Sequence, residues 1–209
     1  MNREEKLIEK YSLLSFYENE AKIKGFSICA GIDEAGRGPL AGPVVAAACI
    51  LCEDIPIYGL DDSKKISENR REILYEEIIL KAKCFSVIRI EHDVIDEINI
   101  LEATKRAMRM CVASLSETPD LLLIDAVDLK GTGIPVQAII KGDAKSNSIA
   151  AASILAKVTR DRIMREYDIM YPGYGFAKHK GYGTKEHYTA IELLSICPIH
   201  RLTFLKGRI

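Results

Sequence analysis

The 209-residue sequence has no long hydrophobic run and almost no net charge. No segment reaches the roughly 18 uninterrupted apolar residues of a membrane-spanning helix, and the N-terminus lacks the apolar stretch of a secretory signal. We therefore expect a cytoplasmic protein with no membrane partner. The formal net charge of −1 argues against a protein that coats nucleic acid through bulk electrostatics.

The sequence also lacks a P-loop, a Gly-x-Gly-x-x-Gly that opens a helix, internal repeats and low-complexity segments. This disfavours a nucleotide-binding α/β domain. The six cysteines lie mostly inside apolar runs, which suits small buried thiols in a reducing compartment. Cys49 and Cys52 form a lone CxxC whose side chains would face opposite ways on a strand, so we expect no zinc or redox site there.

The composition that is present indicates a packed domain with an uneven charge distribution. Hydrophobic residues make up 48% and charged residues 28% of the chain. Residues 53–97 hold seven basic against twelve acidic residues, whereas residues 141–185 hold nine against four. A phosphate-binding face would therefore draw on the second window.

Apolar periodicity predicts one α/β domain with a short helical appendage. We expect an amphipathic helix over residues 3–24 that packs on the core, so that the chain divides into residues 1–25 and a larger domain at 26–209. Strands are expected at 26–32, 44–51, 84–90, 121–124 and 135–140, and helices at 67–82, 100–116, 146–170 and 185–195. The near-continuous apolar strands indicate a sheet that is covered on both faces.

Acidic residues stand at the ends of three of these strands. Asp33 and Glu34 follow the first strand, Asp125 follows the fourth, and Asp143 lies between the fifth and a long helix. Because successive side chains on a strand face opposite ways, we expect the first strand to end or bulge here if both acids act together.

Four convergent carboxylates predict a metal site. Clustered carboxylates repel one another unless cations are bound, and Mg²⁺ and Mn²⁺ prefer oxygen ligands. Two such ions would activate a water and stabilise a leaving oxygen on phosphorus. A single Asp after a strand is more often a turn or a helix cap, so the prediction depends on the set of four.

The segment at 31–45, GIDEAGRGPLAGPVV, resembles the signature of bacterial ribonuclease HII, a type 2 ribonuclease H. Similar blocks follow in the family's order: GLDDSKK at 59–65, NILEAT at 99–104, LIDA at 123–126, KGD at 141–143, SIAAASILAK at 148–157 and HKGYGT at 179–184. The resemblance covers roughly residues 26–205. It implies an RNase-H-like α/β fold, with a mixed five-stranded central sheet flanked by helices.

The resemblance also implies an activity. It implies an endoribonuclease that hydrolyses the RNA strand of RNA–DNA hybrids and incises on the 5′ side of single ribonucleotides embedded in duplex DNA, leaving 3′-hydroxyl and 5′-phosphate ends. By position, Asp33, Glu34, Asp125 and Asp143 match the catalytic carboxylates that bind the divalent cofactor, Mn²⁺ or Mg²⁺. We expect a monomer whose partner is the nucleic acid duplex.

Further matches concern substrate binding. Gly36-Arg37-Gly38 matches the element that recognises the ribonucleotide, and glycines let backbone groups approach a 2′-hydroxyl closely. Tyr182 matches the family tyrosine that stacks on the following sugar. Candidates for holding phosphates are Lys64, Lys157 and Lys180, although a single lysine is more often a solvated surface residue.

Alternatives remain open at this point. The related type 3 enzymes carry a lysine in place of the arginine of Gly-Arg-Gly and a larger N-terminal domain. This sequence has Arg37 and only about 25 residues before the first expected strand, and both features favour type 2. One alternative is another metal nuclease or strand-transfer enzyme of the RNase-H-like group that acts on DNA without recognising a 2′-hydroxyl. The Gly-Arg-Gly element disfavours this alternative. Another is a catalytically silent hybrid-binding protein, which the four intact carboxylates disfavour.

Overall fold

The structure, a computed structural model, describes residues 2–207. The strands are β1 (Cys29–Ala35), β2 (Val44–Ile50), β3 (Cys84–Ile90), β4 (Leu121–Asp125) and β5 (Val136–Ile139). The helices are α1 (Arg3–Leu14), α2 (Phe16–Ile23), α3 (Glu68–Lys81), α4 (His92–Ile98), α5 (Ile100–Ala113), α6 (Asn147–Met170), α7 (Phe176–His179), α8 (Lys185–Leu194) and α9 (Leu202–Leu205). A 3₁₀ turn spans Gly142–Ala144.

The five strands form one mixed sheet in the order β3-β2-β1-β4-β5. β1 pairs antiparallel with β2, and β2 with β3, whereas β1, β4 and β5 run parallel. The predicted mixed five-stranded sheet is therefore confirmed. Because β1, β4 and β5 share a direction, their carboxyl ends meet at one edge of the sheet.

Helices cover both faces of the sheet, as the apolar strands predict. α5 packs on one face, where Ile32 and Met108 belong to the same buried cluster. α6 packs on the other face, where Ala47 and Leu155 lie together. Every residue of β2 is buried, which explains why its sequence carries no polar residue.

Gly31 allows α6 to lie directly on β1. A Cβ atom at this position would come within 2.0 Å of the backbone carbon of Ser148, so any side chain there would push the helix away. Gly31 and Asp33 share one face of the strand because side chains alternate. Asp33 therefore faces the same helix.

Three sequence expectations need correction. β1 begins at Cys29 and continues to Ala35, so it neither ends nor bulges at Asp33 and Glu34. The helix expected over residues 3–24 is interrupted at Ser15, whose hydroxyl donates to the Tyr11 carbonyl and competes with the helical pattern. The short helix α4 has no counterpart in the prediction, because its apolar pattern spans barely two turns.

The N-terminal helices contact the start of α6. The Asn147 amide donates to the Tyr11 carbonyl and the Ser15 hydroxyl, both at 2.9 Å. The Glu18 carboxylate accepts from the Ser148 backbone amide at 3.0 Å and from the Ser148 hydroxyl at 2.7 Å. Among the described residues, no helix combines the length and the apolarity needed to cross a membrane.

Candidate active site

Asp33 lies near the carboxyl end of the central strand β1 and is buried. The backbone amide of Glu34 donates to its Oδ1 at 2.7 Å. Its pKa is raised well above the ordinary value by burial and then by the neighbouring charges of Glu34 and Asp125, against a lowering contribution from a hydrogen bond with Ser153. A buried carboxylate whose neighbours are mainly other acids binds a proton or a cation readily.

Two further carboxylates meet Asp33 at the same edge. Asp125 is the last residue of β4, and the backbone amide of Gly142 donates to its Oδ1 at 2.8 Å. Asp143 is buried in the 3₁₀ turn that leads from β5 into α6. Asp33, Asp125 and Asp143 each present an oxygen, and these oxygens lie within 4.8 Å of one another. We call this group the carboxylate cluster.

Glu34 stands apart from the carboxylate cluster. Because β1 stays regular, Glu34 faces the α5 side of the sheet while Asp33 faces α6. Its Oε1 accepts from Arg37 Nη1 at 3.3 Å, and its Oε2 is buried with no hydrogen-bond partner in the described part of the chain. Burial raises the pKa of Glu34, and the Arg37 charge partly offsets this. The structure thus brings three of the four predicted acids together and leaves the fourth beside them with an unpartnered oxygen.

Asp62 is a carboxylate that the sequence reasoning did not single out. Burial, the Asp62 charge and then the Asp125 charge raise the pKa of Asp143 to about 6. Lys64 lowers the pKa of both Asp143 and Glu34, so its ammonium group lies near both. The signal in the sequence is the adjacent acidic pair of the GLDDSKK block, which places Asp62 two residues before Lys64.

The segment 36–43, here the glycine loop, leaves the end of β1 beside the carboxylate cluster. Gly36 has φ +95°, and a Cβ there would meet Arg160 Nε at 2.0 Å, so both backbone and space require glycine. Arg37 and Gly38 are exposed at the tip of the loop. The glycines in the sequence therefore shape the loop after the strand, and they do not interrupt the strand itself.

Two buried arginines hold the glycine loop, and neither was predicted. Arg201 donates to the carbonyls of Gly36 at 2.7 Å, Arg37 at 3.1 Å and Gly42 at 2.9 Å. Burial lowers its pKa to about 9, so it stays charged at neutral pH. No sequence pattern marks it, because its partners are carbonyls far away along the chain.

Arg160 joins the glycine loop to a second loop. It donates to the Pro43 carbonyl at 2.9 Å, the Ala41 carbonyl at 3.1 Å and the Lys180 carbonyl at 3.0 Å. Lys180 belongs to the segment 179–184, here the tyrosine loop. Two buried positive charges thus lie under these loops, and they favour an anionic ligand at the surface above them.

Tyr182 lies at the surface of the tyrosine loop, beside the glycine loop. The residue is 44% exposed, so it is accessible to a ligand from solvent. A Cβ built on Gly38 would lie 3.6 Å from the Tyr182 ring, which shows that the two residues are in contact range. The structure therefore brings two of the predicted substrate-binding elements side by side.

The three candidate lysines differ in their surroundings. Lys64 is exposed near the carboxylate cluster. Lys157 is paired with Asp161, with Nζ–O distances of 2.5 and 2.7 Å. Lys180 donates to the Ala177 carbonyl and lies 3.9 Å from Glu68. Lys64 is thus the candidate with the freest ammonium group.

Comparison of the fold with solved structures defines the class of protein. The ribonuclease H2 from Pyrococcus horikoshii OT3 is similar at 30% sequence identity with a TM-score of 0.75, over 87% of this chain and 96% of that one. Bst-RNase HIII, solved in complex with Mn²⁺, shares the fold at 17% identity with a TM-score of 0.59, over 80% of this chain and 63% of that one. The sheet and its flanking helices are therefore those of the type 2 and type 3 ribonucleases H, and the expected RNase-H-like fold is confirmed.

Sequence comparison then gives the family. The model of the family Ribonuclease HII matches residues 30–206. The ribonuclease HII of Acetivibrio thermocellus is 57% identical over 203 residues, which is 97% of this chain and 79% of that protein. The chain belongs to the ribonuclease HII family and is a hydrolytic nuclease.

Proposed function

We propose that the protein hydrolyses the RNA strand of RNA–DNA hybrids and incises on the 5′ side of single ribonucleotides in duplex DNA, leaving 3′-hydroxyl and 5′-phosphate ends. The observation that carries the proposal is the carboxylate cluster, in which oxygens from β4, β1 and the turn after β5 lie within 4.8 Å of one another. Such a cluster serves phosphodiester chemistry, where negative charge on the reacting phosphate must be offset.

The residues of the site fit divalent metal ions. The donors are all carboxylate oxygens, which suit Mg²⁺ and Mn²⁺. Burial and then neighbouring like charges raise the pKa values of Asp33 and Asp143. Glu34 has a buried oxygen without a partner among the described residues, and nearby Lys64 and Arg37 offset the negative charge of the site only in part. When bound, such ions activate a water and stabilise the leaving oxygen. Asp33, Asp125 and Asp143 would hold one ion, and the free Glu34 oxygen is available to a second.

The glycine loop supports recognition of a ribose. The Gly36 and Arg37 carbonyls point inward to Arg201. In a planar trans peptide the N–H points opposite to the carbonyl, so the amides of Arg37 and Gly38 are directed outward. Two outward donors on a loop without a bulky side chain at Gly38 can approach a 2′-hydroxyl, the group that separates RNA from DNA.

Tyr182 and the basic residues complete the proposed substrate site. An exposed ring beside Gly38 can stack on the sugar that follows the ribonucleotide, so that a DNA neighbour is selected. Lys64, whose charge lowers the pKa of Asp143, would contact a phosphate next to the carboxylate cluster. Lys157 and Lys180 would contribute mainly to the positive potential of this face.

A panel of three substrates tests the proposal. A duplex with a single ribonucleotide, an RNA–DNA hybrid and an all-DNA duplex are incubated with the protein and Mn²⁺ or Mg²⁺, and product ends are mapped by gel. We expect incision of the first two, with 3′-hydroxyl ends on the 5′ side of the ribonucleotide. Cleavage of the all-DNA duplex at a similar rate would contradict the role of the glycine loop, and no cleavage of any duplex would contradict the activity.

A further inference from the structure

The tyrosine loop rests on a layer of buried histidines that the proposed chemistry does not use. His179, His187 and His200 are all buried against Phe176. The rings of His179 and His187 are stacked with centroids 4.5 Å apart. Burial lowers the pKa of His187 to about 4 and lowers that of His200, so both rings are neutral at physiological pH.

The hydrogen bonds of His200 fix its tautomer. The Cys197 backbone amide donates to His200 Nδ1 at 2.9 Å, and an amide nitrogen can only donate. The Cys197 carbonyl also lies 3.1 Å from Nδ1, but it accepts from the His200 backbone amide and its position does not require a proton on Nδ1. The proton of His200 is therefore on Nε2.

The tautomer of His200 determines that of His187. His200 Nε2 lies 3.1 Å from His187 Nε2, so it donates to that nitrogen. The proton of His187 is then on Nδ1, which donates to the Tyr182 carbonyl at 3.0 Å. A directed chain of hydrogen bonds thus runs from Cys197 through the two histidines to the backbone of Tyr182.

The backbone of the tyrosine loop needs this support. Lys180 and Gly181 both have positive φ, at 53° and 80°, and this conformation is unfavourable for a lysine. His179 Nδ1 accepts from the Gly181 amide at 3.2 Å, and the Leu40 amide donates to the Gly181 carbonyl at 2.8 Å. The loop is therefore held on both sides of Tyr182 by groups that never reach the surface.

We propose that His200, acting through His187, is a positioning residue that sets the place of Tyr182 relative to the glycine loop, and so determines selectivity for the RNA–DNA junction. The inference rests on the proposed function. His200 is followed directly by Arg201, which holds the Gly36 and Arg37 carbonyls. One dipeptide thus fixes both halves of the proposed sugar site, and small displacements of such groups are costly.

The first test reads the tautomers directly in the unmodified protein. Nitrogen-15 NMR of the imidazole rings distinguishes protonated from unprotonated ring nitrogens. We expect a proton on Nε2 of His200 and on Nδ1 of His187 at pH 7. A proton on Nε2 of His187 would overturn the proposal, because that tautomer cannot donate to Tyr182 through Nδ1.

The second test uses a matched pair of substitutions at one position. In His200→Gln the side-chain amide can reach the Nε2 position and still donate to His187, whereas His200→Asn can keep the acceptor for Cys197 but loses that donor. The readout is the ratio of kcat/KM for a single-ribonucleotide duplex to that for a continuous hybrid. We expect His200→Asn to shift this ratio about tenfold in the direction of Tyr182→Ala, and His200→Gln to shift it less than about threefold.

The outcomes separate this inference from the proposed function. If the wild type does not incise the single-ribonucleotide duplex, the proposed function fails. If Tyr182→Ala shifts the ratio and His200→Asn leaves it unchanged, the proposed function stands and the positioning role fails. If Tyr182→Ala itself leaves the ratio unchanged, junction selectivity does not depend on Tyr182 and the positioning role is overturned. If a His200 variant fails to fold, both of its kcat/KM values fall together and their ratio is uninformative. The tautomers of His187 and His200 in the wild type then test the positioning role.

Discussion

The carboxylate cluster and the two loops beside it are adjacent at the end of β1, but they are held in place by different interactions. Asp33 and Asp125 sit on hydrogen-bonded strands, so the register of the sheet places them. The glycine and tyrosine loops have no such ladder and are held by buried Arg160, Arg201 and His187, which donate to loop carbonyls.

The two regions also differ in what their buried polar groups do for stability. The cluster concentrates negative charge that its hydrogen bonds and the nearby Lys64 offset only in part, which destabilises the metal-free fold. The loop supports satisfy carbonyls that would otherwise be buried without a donor, which stabilises the fold. The proposed chemistry thus reduces stability at one site, whereas the proposed selectivity depends on stabilising contacts at the other.

The largest effect is expected at the carboxylate cluster. Asp33→Asn keeps the size of the side chain and removes its charge. We expect kcat to fall at least about a hundredfold and calorimetric Mn²⁺ binding to weaken. When a chelator removes metal ions, the free energy of unfolding of Asp33→Asn should be about 1–2 kcal/mol higher than that of the wild type, because a buried charge has been removed.

Asp54→Asn is the matched control, since Asp54 is exposed in a turn at the other end of the sheet. It should change neither activity nor stability. Wild-type activity in Asp33→Asn would contradict the metal assignment, and a loss of stability would contradict the view that the cluster is strained.

Beneath the glycine loop, removing a buried charged side chain is expected to lower the free energy of unfolding. Arg201→Met removes three hydrogen bonds and leaves buried carbonyls without a donor, so we expect a loss of about 3 kcal/mol in the free energy of unfolding. Arg165→Met removes surface ion pairs to Glu68 and Glu72 and should cost about 0.5 kcal/mol. Chemical denaturation measures both. Equal losses would show that the buried arginine has no special role.

The carboxylate cluster lies on strands and could be predicted in large part from the sequence. Strand positions follow from apolar runs, and the acids at the ends of β1, β4 and β5 follow from the rule that parallel strands meet at one edge. The separation of Glu34 from the cluster was missed because it depends on whether β1 stays regular past Asp33. The glycines suggested an interruption, whereas the pairing of Ala35 with Val45 shows none.

The supports of the loops could not be predicted for a different reason. Arg160, Arg201 and His200 are charged or titratable residues that local patterns assign to the surface. The burial of the two arginines depends on carbonyls more than a hundred residues away, as between Arg201 and Gly36. The burial of His200 depends on its contact with His187, which belongs to α8. Only the assembled fold brings these partners together, so a single sequence without its fold gives no signal for them.

The smallest net effect is expected in the pH dependence of wild-type stability, because the contributions of the two regions have opposite signs and partly cancel. Burial holds the pKa of His187 near 4, below its ordinary 6.5, so the unfolded chain binds the proton more readily and stability is lost as the pH falls from about 6.5 towards 4. The pKa of Asp143 is raised from 3.8 to about 6, so the folded state binds the proton more readily and stability is gained as the pH falls through this range.

Denaturation in chelator between pH 4 and 7 separates the two contributions. His187→Asn can keep a donor for the Tyr182 carbonyl but does not titrate, so its stability should decline less on acidification than that of the wild type. Asp143→Asn should decline more, because the gain from protonating the cluster is lost while the histidines remain. If both variants changed the slope in the same direction, the assignment of opposite electrostatic roles to the two regions would be wrong.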